Sequence, residues 1–116
     1  MKKISRNSVE DTKKLSRDSD RRRKIKNFHE SEGEKIQRMA NVVQPDSYIR
    51  PHRHFKSPEV FLALWGKAVM FEFDEKGNVT ESTVIKPGSE TAGVEFEPGK
   101  FHSLIALEPD TVLYEA

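Results

Sequence analysis

The stretch 51-PHRHFKSPEVFLALWG-66 places two histidines one residue apart, then a polar stretch holding Pro58, a glutamate, an apolar run and a glycine. Side chains alternate faces along a strand, so His52 and His54 aim at one point, with Cα atoms about 7 Å apart, while Arg53 turns away. Imidazole is a common metal ligand, and a pair at this spacing can hold one ion from one side. Lys56, Ser57 and Pro58 bend the chain, because proline and the residue before it resist helix and interrupt strand pairing. The bend returns Glu59, a hard oxygen donor, at the head of the next strand. A fourth donor has to come from a distant strand, and His102, just after the turn 97-EPGKF-101, is the candidate.

Taken singly, each histidine has a plainer reading: an exposed loop for 52–54, a hydrogen-bonded core position for His102. Three imidazoles and a carboxylate able to converge favour a metal centre instead. That donor set suits a divalent transition ion (Fe, Mn, Ni, Zn or Cu). The chain has no cysteine, which removes disulfides, thiolate sites and cysteine nucleophiles. A closed structural zinc site is therefore less expected than an open one.

Outward from this stretch, the sequence reads as short strands separated by turns. Strands are expected at 24–29, 35–43, 47–50, 59–66, 67–73, 79–85, 93–96, 101–107 and 111–116, with Pro, Gly and Asp/Asn turns between most of them. Many short strands at this spacing indicate an all-β sandwich or barrel. Residues 1–24 differ: they are polar, with Ile4, Val9 and Leu15 as the only sizeable aliphatic side chains. Ser8 followed by Asp11 predicts a capped helix over 8–19. The expected division is a basic, helical N-terminal arm at 1–24 and a β-barrel at 25–116.

With 116 residues the chain has room for one core. Its net charge of +1 conceals an asymmetry, +6 over residues 1–30 and −5 over the remainder. The run 13-KKLSRDSDRRRKIK-26 is diluted by Asp18 and Asp20 and carries no aromatic residues for base stacking. It reads as a solvated helical arm, with anion contact by Arg21, Arg22 or Arg23 as the alternative; nucleic acid is not the expected partner. The N-terminus lacks the apolar core of a signal peptide, and no stretch approaches the ~20 apolar residues of a membrane span. The reading is a soluble, cytoplasmic protein with no membrane partner.

The spacing His52-x-His54, four residues, Glu59, six residues, Gly66 resembles the first motif of the cupin superfamily. Gly93, Pro98-Gly99 and His102 resemble the second motif. Two departures stand out: the upstream glycine of the first motif is missing, with Asp46 and Ser47 in that region, and Ala106 replaces the usual asparagine. Residues 27–29, 37–39, 47–61 and 93–115 are further similar to the WbuC-type cupin-fold metalloproteins, bacterial proteins associated with surface-polysaccharide (O-antigen) gene clusters. This resemblance covers about 17–115. It implies a cupin double-stranded β-helix, a jelly-roll barrel, with His52, His54, Glu59 and His102 as ligands of one divalent ion. It also implies pairing as a homodimer. Members tend to run past this C-terminus, so Ala116 implies a shorter member or a truncated chain.

Around the ligands, Arg38, Arg50 and Lys56 are candidate substrate-binding cations for an anionic or sugar-like small molecule. His29 and Tyr48 are the candidate acid/base groups. The function expected first is a metal-dependent enzyme, an isomerase, epimerase or lyase, acting on a small oxygen-rich metabolite such as a sugar or activated sugar. The alternatives are a non-catalytic cupin that binds a sugar-like ligand and regulates, and a cupin dioxygenase.

Overall fold

The computed structural model describes residues 1–116. A 3-10 turn at Asn7–Val9 leads into helix α1 (Glu10–Asp18). Eight strands follow: β1 (Arg23–Asn27), β2 (Met39–Val43), β3 (Glu59–Trp65), β4 (Ala68–Phe73), β5 (Val79–Ile85), β6 (Gly93–Phe96), β7 (Phe101–Ala106) and β8 (Thr111–Glu115). They form two antiparallel sheets, one in the order β1-β2-β8-β3-β6 and the other β5-β4-β7. The result is an all-β jelly roll with a short N-terminal helix, as the sequence implied.

Two apolar clusters hold it together. The inner faces of the sheets meet over Phe61, Met70, Ile85, Phe96, Leu104 and Leu113 with smaller neighbours. Outside the larger sheet, Val9 from the 3-10 turn packs with Phe28, Ala40, Val42 and Val112, flanked by Trp65 and Tyr114. Strand β2 therefore buries residues on both sides, Val43 toward one cluster and Val42 toward the other, which is why MANVV is apolar almost throughout rather than alternating.

The second cluster shows how the arm docks, although within the basic run 13–26 only Ser16 is buried. Val9, Thr12 and Ser16, on one face of the helical segment, are buried, whereas Leu15 is exposed. The helix end is tied down by a polar network: Gln44 donates to Ser16 Oγ (2.9 Å) and to Asp110 Oδ1 (2.7 Å), and Arg17 Nε donates to the same carboxylate at 2.9 Å. Arg22, in the left-handed region at φ 55°, turns the chain into β1 and pairs with Asp46 at 3.0 Å. The expected cap by Ser8 is not made. Ser8 and Ser5 instead bond each other's backbone N–H, and Val9 occupies the cap position.

The expected strand at 35–43 is confined to Met39–Val43, and 47–50 joins no ladder. Prolines at 45 and 51 bracket that segment and cannot donate to a ladder. Side chains satisfy the extended backbone instead: Arg23 Nη1 donates to Tyr48 O (3.0 Å), and Ser103 Oγ to Ile49 O (2.5 Å). Gly66, closing β3, sits at φ +86°; a Cβ there would stand 2.5 Å from Thr111 Oγ1 and 2.8 Å from Thr111 Cα. No helix is long and apolar enough to cross a membrane.

Candidate metal centre

Three separate parts of the chain build the site. His102 lies on β7, and the backbone of His52 docks against it: His52 N donates to His102 O (3.1 Å) and His102 N to His52 O (2.9 Å). This two-residue bridge extends the smaller sheet past β7. Gly99 N donates to His54 O at 2.7 Å, so the β6–β7 turn fixes the second histidine. Glu59 opens β3 opposite Phe96 of β6, and the Phe96 ring stacks on His102 at 4.3 Å. Between the two histidines Arg53 turns outward, paired with Glu75 at 2.8 Å and lying over the Phe101 ring at 4.2 Å.

The structure brings His52, His54, Glu59 and His102 together, with one donor atom from each lying within 4.8 Å of the others. Donors bound at about 2.1 Å to a single ion stand roughly 3–4 Å apart, so this group is close to a coordination shell in size. Burial is graded. Glu59 and His102 are buried, His52 is half-buried and His54 exposed, leaving one side open to a ligand.

Tautomers are set by the backbone. His52 Nδ1 lies 2.9 Å from Arg50 O, and His102 Nδ1 lies 3.0 Å from Lys100 O. A carbonyl only accepts, so each Nδ1 carries the proton and each Nε2 presents a lone pair. His102 Nε2 faces Glu59 Oε2 at 2.7 Å, and both atoms are buried without a hydrogen-bond partner. His54 Nε2 approaches the same oxygen at 3.1 Å. Lone pairs this close repel unless a cation lies between them. A proton can serve one such pair, whereas a divalent ion serves all four donors, so the residues present fit a metal.

Behind the donors stands a second carboxyl, Glu115 of β8. Burial by itself would raise the Glu59 carboxyl. The close approach of His102, then of Glu115, then of His54 outweighs burial and holds Glu59 below the usual carboxylate range. Glu115 goes the other way, raised by burial first and then by the neighbouring Glu59, with Asn41 opposing.

The other residues singled out in the sequence scatter. Arg50 lines a cavity that also reaches His52. Arg38 is elsewhere, paired with Glu34. Lys56 is exposed on the loop before β3. Tyr48 lies along a different, apolar groove and is exposed. His29 is buried beside the 30–38 loop, where Arg38 N donates to its Nδ1 at 3.0 Å, outside the four-donor group. Asn41 and Glu115 were not anticipated. Their signal was a polar residue in each of two strands, MANVV and TVLYE, that otherwise read as apolar or edge sequence.

A family model described as "Domain of unknown function (DUF6016)" matches residues 4–85, and the chain belongs to that family. A comparison with curated proteins finds no match. Among solved structures, KdgF from Halomonas sp. is similar at TM-score 0.64 and 16% identity, over 80% of this chain and 76% of that one. CapF, solved with the inhibitor 3-isopropenyl-tropolone, is similar at TM-score 0.63 and 20% identity, over 84% of this chain and 28% of CapF. Bacillus subtilis oxalate decarboxylase, described with Mn(II) centers, is similar at TM-score 0.60 and 22% identity, over 80% of this chain and 24% of the enzyme. These likenesses, all below 25% identity, show a shared fold.

Proposed function

We propose that this member of the DUF6016 family is a metal-dependent cupin that acts on a small oxygen-rich metabolite, with His52, His54, Glu59 and His102 holding one divalent ion. The observation that carries the reading is the 2.7 Å approach of His102 Nε2 to Glu59 Oε2, both buried and neither hydrogen-bonded. A divalent ion held there supplies Lewis acidity toward a bound carbonyl, hydroxyl or carboxylate oxygen. The chain's own residues do the positioning. The carbonyls of Arg50 and Lys100 fix two imidazoles in the ligating tautomer, and Phe96 stacks on one of them. Losing such support typically costs about 10–100-fold in metal affinity.

Isomerisation, epimerisation or elimination on a hydroxy-carbonyl sugar is the favoured chemistry, because it asks only for an ion and a base. The similarity of the histidine segment to WbuC-type proteins supports a sugar of surface-polysaccharide metabolism, and the same reading puts the protein in the cytoplasm and in a homodimer. A second reading, a cupin that binds such a ligand without turning it over, is favoured by the positions of His29 and Tyr48 away from the donors. The test is a panel of hydroxy-carbonyl sugars incubated with metal-loaded protein in D2O. Exchange of the carbon-bound proton next to the carbonyl, followed by NMR and abolished in His54→Ala, is the expected outcome. Saturable binding without exchange sustains the second reading, and oxygen consumption in the same assay would point to a dioxygenase.

A further inference from the structure

Beside the candidate metal centre is a cavity of about 320 Å³ whose wall includes His52, Asn41, Glu115 and three arginines, Arg21, Arg23 and Arg50. The arginines come from different places. Arg21 and Arg23 flank the turn into β1, and Arg50 precedes the histidine pair. Ion pairs form elsewhere in this basic region, Arg17 with Asp110 and Arg22 with Asp46, yet none of these three has a carboxylate partner. Arg23 is half-buried, and burial first, then the charge of Arg21, lower its guanidinium from the ordinary value. Converging like charges are costly, and they persist where an anion is meant to sit among them. Glu115 is the one acid on the wall.

A second, independent observation concerns a residue of the same wall. Asn41 is 7% exposed, and its Oδ1 is buried with no hydrogen-bond partner. An orphaned acceptor of this kind costs about 1–3 kcal/mol unless something donates to it. A ligand hydroxyl is the complementary group, and 320 Å³ is at the size expected of a small-molecule site.

We infer that this cavity binds a hydroxylated ligand carrying an oxyanion, carboxylate or phosphoryl, with Arg21, Arg23 and Arg50 taking the charge and Asn41 Oδ1 accepting from a hydroxyl. The basic run at the arm's end is then part of the ligand site. This deepens the proposed function, since it rests on the ligand also reaching the ion beside His52. It narrows the substrate class to acidic or phosphorylated sugars rather than neutral ones.

The experiment is titration calorimetry of the full chain, metal-loaded and chelator-treated, with glucuronate, glucose 6-phosphate, inorganic phosphate and glucose, metal content being measured on each sample. At least one of the two charged sugars is expected to bind tenfold or more tightly than glucose. Whichever binds identifies the oxyanion, and inorganic phosphate separates bare charge recognition from recognition of the sugar. Arg23→Gln and Arg50→Gln are expected to weaken that binding tenfold or more with metal content unchanged; Arg50 is exposed and makes no side-chain hydrogen bond, so its loss spares the fold. Equal affinity for glucose, no binding of either charged sugar at millimolar concentration, or unaltered affinity in both variants overturns the inference. Charged-sugar binding that depends on Arg23 in protein unable to hold a metal would sustain the anion site while removing the metal reading.

Discussion

Replacing Val9 by alanine tests whether the N-terminal helix is a structural layer. Val9 is fully buried between the helical segment and the outer face of the larger sheet, against Phe28, Ala40, Val42 and Val112. Two methyl groups leave that cluster, worth about 0.8 kcal/mol each in transfer alone. A residual cavity adds to this, for a total of about 2 kcal/mol. Unfolding entropy near ~2.1 cal/mol/K per residue makes about 0.24 kcal/mol/K over 116 residues, so the melting temperature falls by about 8 °C. Urea denaturation read by circular dichroism gives the free energy, and the slope with denaturant stays as in the parent if only stability has changed. Leu15→Ala is the internal control, since Leu15 is 53% exposed and its truncation costs within about 0.5 kcal/mol. A Val9→Ala loss no larger than that of Leu15→Ala would refute the docked helix.

Two other expectations concern the same framework. The hydrogen bond from Arg17 lowers the Asp110 carboxyl; burial opposes it, and donation by Gln44 and the Arg17 charge add to the lowering. Because the folded value lies below the unfolded one, near ~3.9, its contribution is present above that pH and is lost as pH falls through the folded value. Asp110→Asn is therefore less stable at neutral pH and shows a flatter decline below about pH 4, measured as urea midpoints across pH. Gly66→Ala places a Cβ against Thr111 at a positive φ, and thermal melts should register a loss of about 2 kcal/mol or more.

The histidine segment was legible because ligand geometry constrains spacing tightly. His52 and His54 must share a face, and Glu59 must start a strand. The distant partner, His102, was legible from the turn before it. Strand positions followed from turn residues, but the length of β2 did not, because KIQR and MANVV share β-branched and alternating character while only the second finds a neighbour to pair with. The docking face of the arm was not legible, since it uses Val9, Thr12 and Ser16, a small and partly polar face that composition scores as solvated. Of the candidate cations, Arg50, beside the motif in the chain, lines the cavity that reaches His52, whereas Arg38, inside the matched segment 37–39, is drawn off by Glu34. Asn41 and Glu115 gain their meaning only from the cross-strand neighbours that the fold supplies, which no local pattern encodes.

The measurement that bears most directly on the central claim is metal stoichiometry by plasma mass spectrometry, on protein stripped with chelator, reloaded and desalted. The account predicts one divalent ion per chain in the parent and strong loss in His54→Ala, whose exposed side chain can be removed without disturbing the core. Folded parent protein that retains no stoichiometric ion after reloading with Fe, Mn, Ni, Zn or Cu would contradict it.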